Sequence, residues 1–151
     1  MAYMNMHRAS QTATLATSWR DILIEETIEI EQAGVQAAIV SVRLVCAEHE
    51  LENDARRAES LLRRRLHLTD RVGATREDAL VVLLSPTVSL TQTVEQVRSL
   101  SSALDSHRIP TFTAFAHRRP DEPLLSTWAR AEAEIDRSIY RSEHAAGIRL
   151  Q

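Results

Sequence analysis

The spacing of apolar residues along this chain switches between a helical and a strand period, and the switches mark its elements. From Ser18 to Ala33 two periods compete. Leu23, Thr27, Ile30 and Gly34 recur as on one helix face, whereas Ile22/Ile24 and Ile28/Ile30 alternate as in a strand. Length, the density of Glu and Ser18 as a cap decide for a helix, which Gly34 would stop. Ala37 to Cys46 is β-branched and nearly continuous, the pattern of a strand covered on both faces, with Arg43 its odd residue. Leu51, Ala55, Ala58, Leu61, Leu62 and Leu66 predict an amphipathic helix whose other face carries Glu52/Arg56 and Glu59/Arg63 at i,i+4 spacing. Asp70 to Thr75 and Ala79 to Leu84 read as two strands joined by a tight turn at Arg76-Glu77-Asp78. Ser89-Leu-Thr-Gln92 has the form of a capping box, and Leu90, Val94, Val97, Leu100 and Leu104 follow on one face. Ile109 to His117 has strand spacing, with Pro110 near its start. Asp121 as cap and Pro123 in the first turn predict a last helix, with Leu124, Leu125, Trp128, Ala131, Ile135 and Ile139 inward. Gly147 would end it, and Ile148-Arg-Leu150 would add a terminal strand.

The order is α-β-α-β-β-α-β-α. Its centre, βαββαβ, is a ferredoxin-like arrangement, so the expected class is α+β, an α/β sandwich with extra N- and C-terminal helices. That arrangement hosts many functions and decides none. Residues 1–17 carry no clear period and are expected to form a flexible or partner-docked arm; 18–151 form the domain.

Composition narrows the function more by exclusion. With 151 residues, 44% of them apolar, the chain can build one core but not two ordinary ones. A formal charge of −3 gives no global basic field for nucleic acid or an acidic membrane, and no apolar run approaches the ~20 residues of a span. The expectation is a cytoplasmic protein that binds neither. All 18 basic residues are Arg, which fits a coding bias better than a function. Cys46 is the one cysteine, so there is no disulfide framework, and it reads as a small apolar filler.

Other candidate chemistry reads as structure. Arg63-Arg64-Arg65, with Arg56-Arg57 two turns earlier, is interleaved with Glu as on a solvated helix face. The six His show no i,i+3 or i,i+4 pairing, and Glu48-His49-Glu50 is a surface run, so neither a metal nor another cofactor is expected. No strained nucleophile turn occurs. Trp19 and Trp128 each stand at the start of a helix face, where an indole anchors a core.

With these elements placed, the chain resembles the GGDEF family of diguanylate cyclases, bacterial enzymes that join two GTP into cyclic di-GMP. The likeness covers roughly residues 15–150 and rests on order and spacing. Leu124 to Gly147 is similar to the family's closing helix, with Ser138-Ile-Tyr140-Arg-Ser at its alanine-leucine-tyrosine step, and Ile109 to Ala116 stands at its glycine-bearing strand, without the glycine. Arg76-Glu77-Asp78-Ala79-Leu80 aligns with Gly-Gly-Asp-Glu-Phe. The resemblance implies that the glycines of the active-site turn are replaced by long side chains. It also implies that the Glu holding Mg²⁺ is replaced by Ala79, which cannot ligate a hard cation. The family's metal-bearing aspartate at the end of the first strand corresponds to Arg43, or in the other register to Val45. The base- and phosphate-binding segment is shortened to Ala47-Glu-His-Glu-Leu-Glu-Asn-Asp54. Two-metal phosphoryl transfer needs carboxylates to hold the metals, and here both positions lack them.

The family's feedback site for cyclic di-GMP, an Arg and an Asp three residues on, corresponds to His67 and Asp70, with Arg71 following. Histidine lacks the guanidinium fork, and Asp70 has the structural alternative of turning the chain after its helix. The resemblance therefore implies no catalytic residue. The expectation is a catalytically inactive, degenerate GGDEF-like pseudoenzyme domain, regulatory or protein-interacting in bacterial signalling, with a protein partner or a homodimer. One alternative is a sensor that binds cyclic di-GMP or GTP through His67, Asp70 and Arg71 without turnover. Another is a ferredoxin-like small-molecule regulatory domain unrelated to cyclases.

Overall fold

A computed structural model of the chain describes residues 15–149, with side chains from 19 to 145. Helix α1 (Leu15–Ala33) leads into strand β1 (Gln36–Leu44), helix α2 (Glu48–Arg65), strands β2 (Arg71–Arg76) and β3 (Ala79–Thr87), helix α3 (Leu90–Ser106), strand β4 (Thr111–His117) and helix α4 (Leu124–Arg149). The strands form one antiparallel sheet in the order β2-β3-β1-β4. This is the expected βαββαβ core with a helix added at each end.

The period of two along β1 and β3 divides the core between the two faces. Ala38, Val40, Val42 and Leu44, with Leu80, Val82 and Leu84, pack under α2 and α3 against Leu61, Leu62, Leu100 and Leu104. Ala37 and Ile39, with Val81 and Leu83, pack on the other face against Trp19, Leu23 and Ile30 of α1 and Leu124 and Ala131 of α4. Both central strands are covered twice, which is why their sequences are nearly unbroken apolar runs.

Trp19 fixes α1 to the sheet. A Cβ built at Gly73 of β2 would lie 2.3 Å from the indole Nε1, so the ring rests where only a glycine leaves room. Gly34 ends α1 with φ +67°, and its N–H donates to the Ile30 carbonyl at 2.9 Å.

β1 ends at Leu44 rather than Cys46, β3 runs on to Thr87 and β4 starts at Thr111, and three further differences change the role of a residue. Helix α1 already includes Leu15, so Ser18 lies within it and has no extended cap conformation; of the proposed 1–17 arm, residues 1–14 lie outside the described residues. Asp121 does not cap α4. It has φ 62°, and the helix begins at Leu124, with the Pro123 carbonyl accepting from the N–H groups of Ser126 and Thr127. Finally, α4 continues through Gly147 to Arg149, so there is no strand at 148–149 and Gly147 is not a stop. One glycine in a helix costs about 1 kcal/mol, which a helix of 26 residues packed elsewhere absorbs.

Candidate functional site

The residues singled out by the sequence fall at both ends of the β2–β3 hairpin. At one end, Glu77 and Asp78 form a two-residue turn. Such turns usually need a residue in the left-handed region. Among the described non-glycine residues only Arg108 and Asp121 have positive φ, so Arg76 to Ala79 make this turn without the conformation glycine supplies. The register instead shifts between Ala74 and Arg76, a bulge at Thr75 that raises the local twist. The Asp78 carbonyl accepts from Leu44 N–H at 2.8 Å, and its carboxylate lies 3.7 Å from Arg76 Nε. Asp78 therefore works as a turn residue. Leu80 points to the opposite face and is buried under α2 and α3.

Arg43 and Ala79 are direct cross-strand partners. The two positions that the resemblance matches to metal-holding carboxylates thus lie side by side on the α1/α4 face, one a guanidinium and the other a methyl group. Arg43 Nη2 donates to Glu132 Oε2 at 2.8 Å, and Asp136 Oδ1 lies 3.6 Å from Nη1. Trp128 Nε1 donates to the other Glu132 oxygen at 3.1 Å. The one-turn spacing of Trp128, Glu132 and Asp136 brings all three to β1 on one line of α4. The guanidinium is 15% exposed and Glu132 26%. A divalent cation here would meet a fixed positive charge whose carboxylate partners are already engaged, so these residues do not fit Mg²⁺. Among the described residues, no three His, Cys, Asp or Glu side chains converge as a metal site.

Two residues before Arg43, the Ser41 hydroxyl is buried on the same face without a hydrogen-bond partner. The alternative register places Val45 just past the strand, half exposed. Three residues, 45–47, separate β1 from helix α2, which begins at Glu48, so of the segment 47–54 all but Ala47 is helix. Burial, reinforced by Asp54, pushes the Cys46 thiol up, away from a nucleophilic thiolate.

At the other end of the hairpin, His67, Asp70 and Arg71 line one open groove of about 440 Å³ with Trp19, Ile22 and Arg63. Asp70 is committed within the fold. Its Oδ2 accepts from His67 N–H at 2.9 Å, and its Oδ1 accepts from Ser85 N–H at 3.0 Å, tying the α2–β2 connection to the end of β3. The turn-forming alternative for Asp70 is therefore the role seen. Arg71 pairs with Glu26 of α1 at 2.9 Å. A larger groove of about 500 Å³ lies across the sheet from the turn, beside His117 and Arg118, and Arg118 is already paired with Glu31 at 2.8 Å.

Sequence reasoning missed the clamp that sets α4. Glu122 accepts from Arg130 through both oxygens (2.6 and 2.9 Å), from Thr127 Oγ1 (2.8 Å) and from Arg119 N–H (3.2 Å), while Arg130 also donates to the His117 carbonyl. The Arg130 hydrogen bonds, against burial and with help from Thr127 and Arg119, hold the Glu122 carboxyl down at about 2. This clamp joins β4 to the start of the helix that carries Glu132. An acid and a base eight residues apart around a helix start gave no local pattern to find it by.

No protein-family model matches the sequence, and no curated protein is significantly similar to it. Solved structures do match. The coiled coil and GGDEF domain of DgcB from Caulobacter crescentus, determined with c-di-GMP, aligns over 95% of this chain and 87% of its own at 16% identity, with a TM-score of 0.69. The GGDEF domain of YfiN (or TpbB) from Pseudomonas aeruginosa covers 83% of this chain and 89% of its own at 12% identity and TM-score 0.71. The active GGEEF domain of a diguanylate cyclase from Vibrio cholerae covers 82% and 88% at 9% identity and TM-score 0.61. At these coverages and TM-scores, this chain has the fold of the GGDEF domains of diguanylate cyclases.

Proposed function

We propose that this is a GGDEF-fold domain without cyclase activity, acting as a regulatory or protein-interaction module in bacterial signalling. One observation carries the reading: Arg43 and Ala79 are cross-strand partners where metal-binding carboxylates would be needed. Two-metal phosphoryl transfer requires anionic ligands to gather the cations and neutralise developing charge. A partly buried guanidinium held by Glu132 opposes both tasks. The test is incubation of the purified protein with GTP and Mg²⁺ or Mn²⁺, followed by chromatography. No cyclic di-GMP is expected, and its formation would overturn the proposal.

A second reading, a non-catalytic nucleotide sensor, draws support from the grouping of His67, Asp70 and Arg71 on one groove. The hydrogen bonds that occupy both Asp70 oxygens count against it, since a guanine edge would have to displace them. Calorimetry with cyclic di-GMP and with GTP separates the two. Heat that disappears in Arg71→Ala would favour the sensor; absence of heat with both ligands would remove it.

A further inference from the structure

We infer that the outer face of α1 is a docking surface for a basic amphipathic segment of another protein, and not a seam between two copies of this chain. The inference rests on the interaction-module reading and names the partner's chemistry. Trp19, Leu23 and Ile30 turn inward, and the Leu124 N–H donates to Thr27 Oγ1 at 3.0 Å, which ties α1 to the start of α4. On the outer face Ile24 and Ile28, one turn apart, stay 46% and 53% exposed. Beside them runs a second line, Asp21, Glu25 and Glu29, also one turn apart and exposed.

The acids of this helix divide into two groups. Glu26 is paired with Arg71 and Glu31 with Arg118 across the fold. Asp21, Glu25 and Glu29 make no ion pair among the described residues. The face thus combines a short apolar ridge with a row of uncompensated carboxylates.

Those two properties decide the occupant. A second copy would bring the same row of acids against the first in either orientation, with Arg20 as the one base in the helix itself. Like charges brought together at a contact are disfavoured, whereas opposite charges steer and register it. A self-associating coiled coil also needs an apolar seam sustained over about three or four heptads, and this ridge has two isoleucines. A partner helix with aliphatic residues flanked by Lys or Arg satisfies both features, placing apolar side chains over Ile24 and Ile28 and cations beside Asp21, Glu25 and Glu29.

The test uses the full chain and two synthetic helical peptides with the same leucine face, one flanked by Lys and one by Glu, followed by fluorescence anisotropy. The Lys peptide is expected to bind at least about tenfold tighter at low salt, an advantage that shrinks as salt screens the charges. Ile24→Ser with Ile28→Ser should abolish binding of the Lys peptide, and Glu25→Arg with Glu29→Arg should reverse the preference. Circular dichroism checks that each variant is folded. Equal binding of both peptides, indifference to these substitutions, or a dimer in sedimentation equilibrium that the serine pair dissociates would each overturn the inference. Detection of cyclic di-GMP synthesis would refute the proposed function and leave this docking face to stand or fall on its own data.

Discussion

Replacing Arg43 with Met keeps most of the apolar stem and removes the charge that holds α4 to β1. At an effective dielectric of about 20, unit charges 4 Å apart attract by about 4 kcal/mol. Desolvation of the two groups offsets part of this, and hydrogen bonds to charged groups contribute about 1.5–3 kcal/mol net. The pair lies at 2.8 Å with exposures of 15% and 26%, and Arg43→Met leaves Glu132 with Trp128 Nε1 as its described donor. The expected loss is about 2 kcal/mol, or roughly 4–8 °C in Tm for a chain of this size. Urea unfolding of Arg43→Met, Glu132→Gln and the double variant should give a coupling energy of about 1–2 kcal/mol. The Arg56–Glu52 pair, with side chains 77% and 82% exposed, supplies the control and should couple by about 0.5 kcal/mol or less. If the two cycles gave the same coupling, the structural role assigned to Arg43 would be refuted.

Gly73→Ala should drive a Cβ into the Trp19 ring and cost about 1–3 kcal/mol; an unchanged near-ultraviolet circular dichroism spectrum would contradict that contact. The Glu122 carboxyl is lowered in the folded state, so its stabilisation is present above the unfolded value near 4.5 and is lost as pH falls toward about 2. Wild type should therefore lose about 2–3 kcal/mol across that window and Glu122→Gln much less, as read by urea unfolding at successive pH values. Asp70→Ala removes the acceptor for two backbone N–H groups and should cost about 1–3 kcal/mol, with faster hydrogen exchange at the Ser85 amide; unchanged exchange would deny the link to β3. Ser41→Ala removes a buried hydroxyl that has no partner, so stability should hold or rise by up to about 1 kcal/mol. A clear loss in the same unfolding assay would mean that the hydroxyl is bonded.

What the sequence made legible was local. Ser89 accepts from Gln92 N–H at 3.2 Å as the cap spacing predicts, because donor and acceptor lie within one turn. Glu52/Arg56 and Glu59/Arg63 meet for the same reason. The nearly unbroken apolar run of β1 told that both of its faces are covered, and the resemblance pointed to Ala79 and to Arg43 or Val45, of which the register sets Arg43 beside Ala79. What it did not show was action at a distance. Glu132 lies 89 residues from Arg43, and the Gly73 notch for Trp19 joins two elements with no shared pattern. Asp121 had the better local claim to cap α4, yet Glu122 became the hub because Arg130 and Thr127 turn back toward it once the helix has formed.

The adjacency of positions 43 and 79 also constrains how this sequence could change. Ala79→Glu alone would set a carboxylate beside a guanidinium, and the two would neutralise each other. Arg43→Asp alone would face Glu132 and Asp136, three negative charges crowded against one patch of sheet. Ala79→Glu alone thus leaves no free carboxylate for a cation, and Arg43→Asp gathers three carboxylates only by breaking the ion pair that joins β1 to α4. The two positions are therefore coupled: what a carboxylate at 79 can do depends on whether the guanidinium of Arg43 still stands beside it.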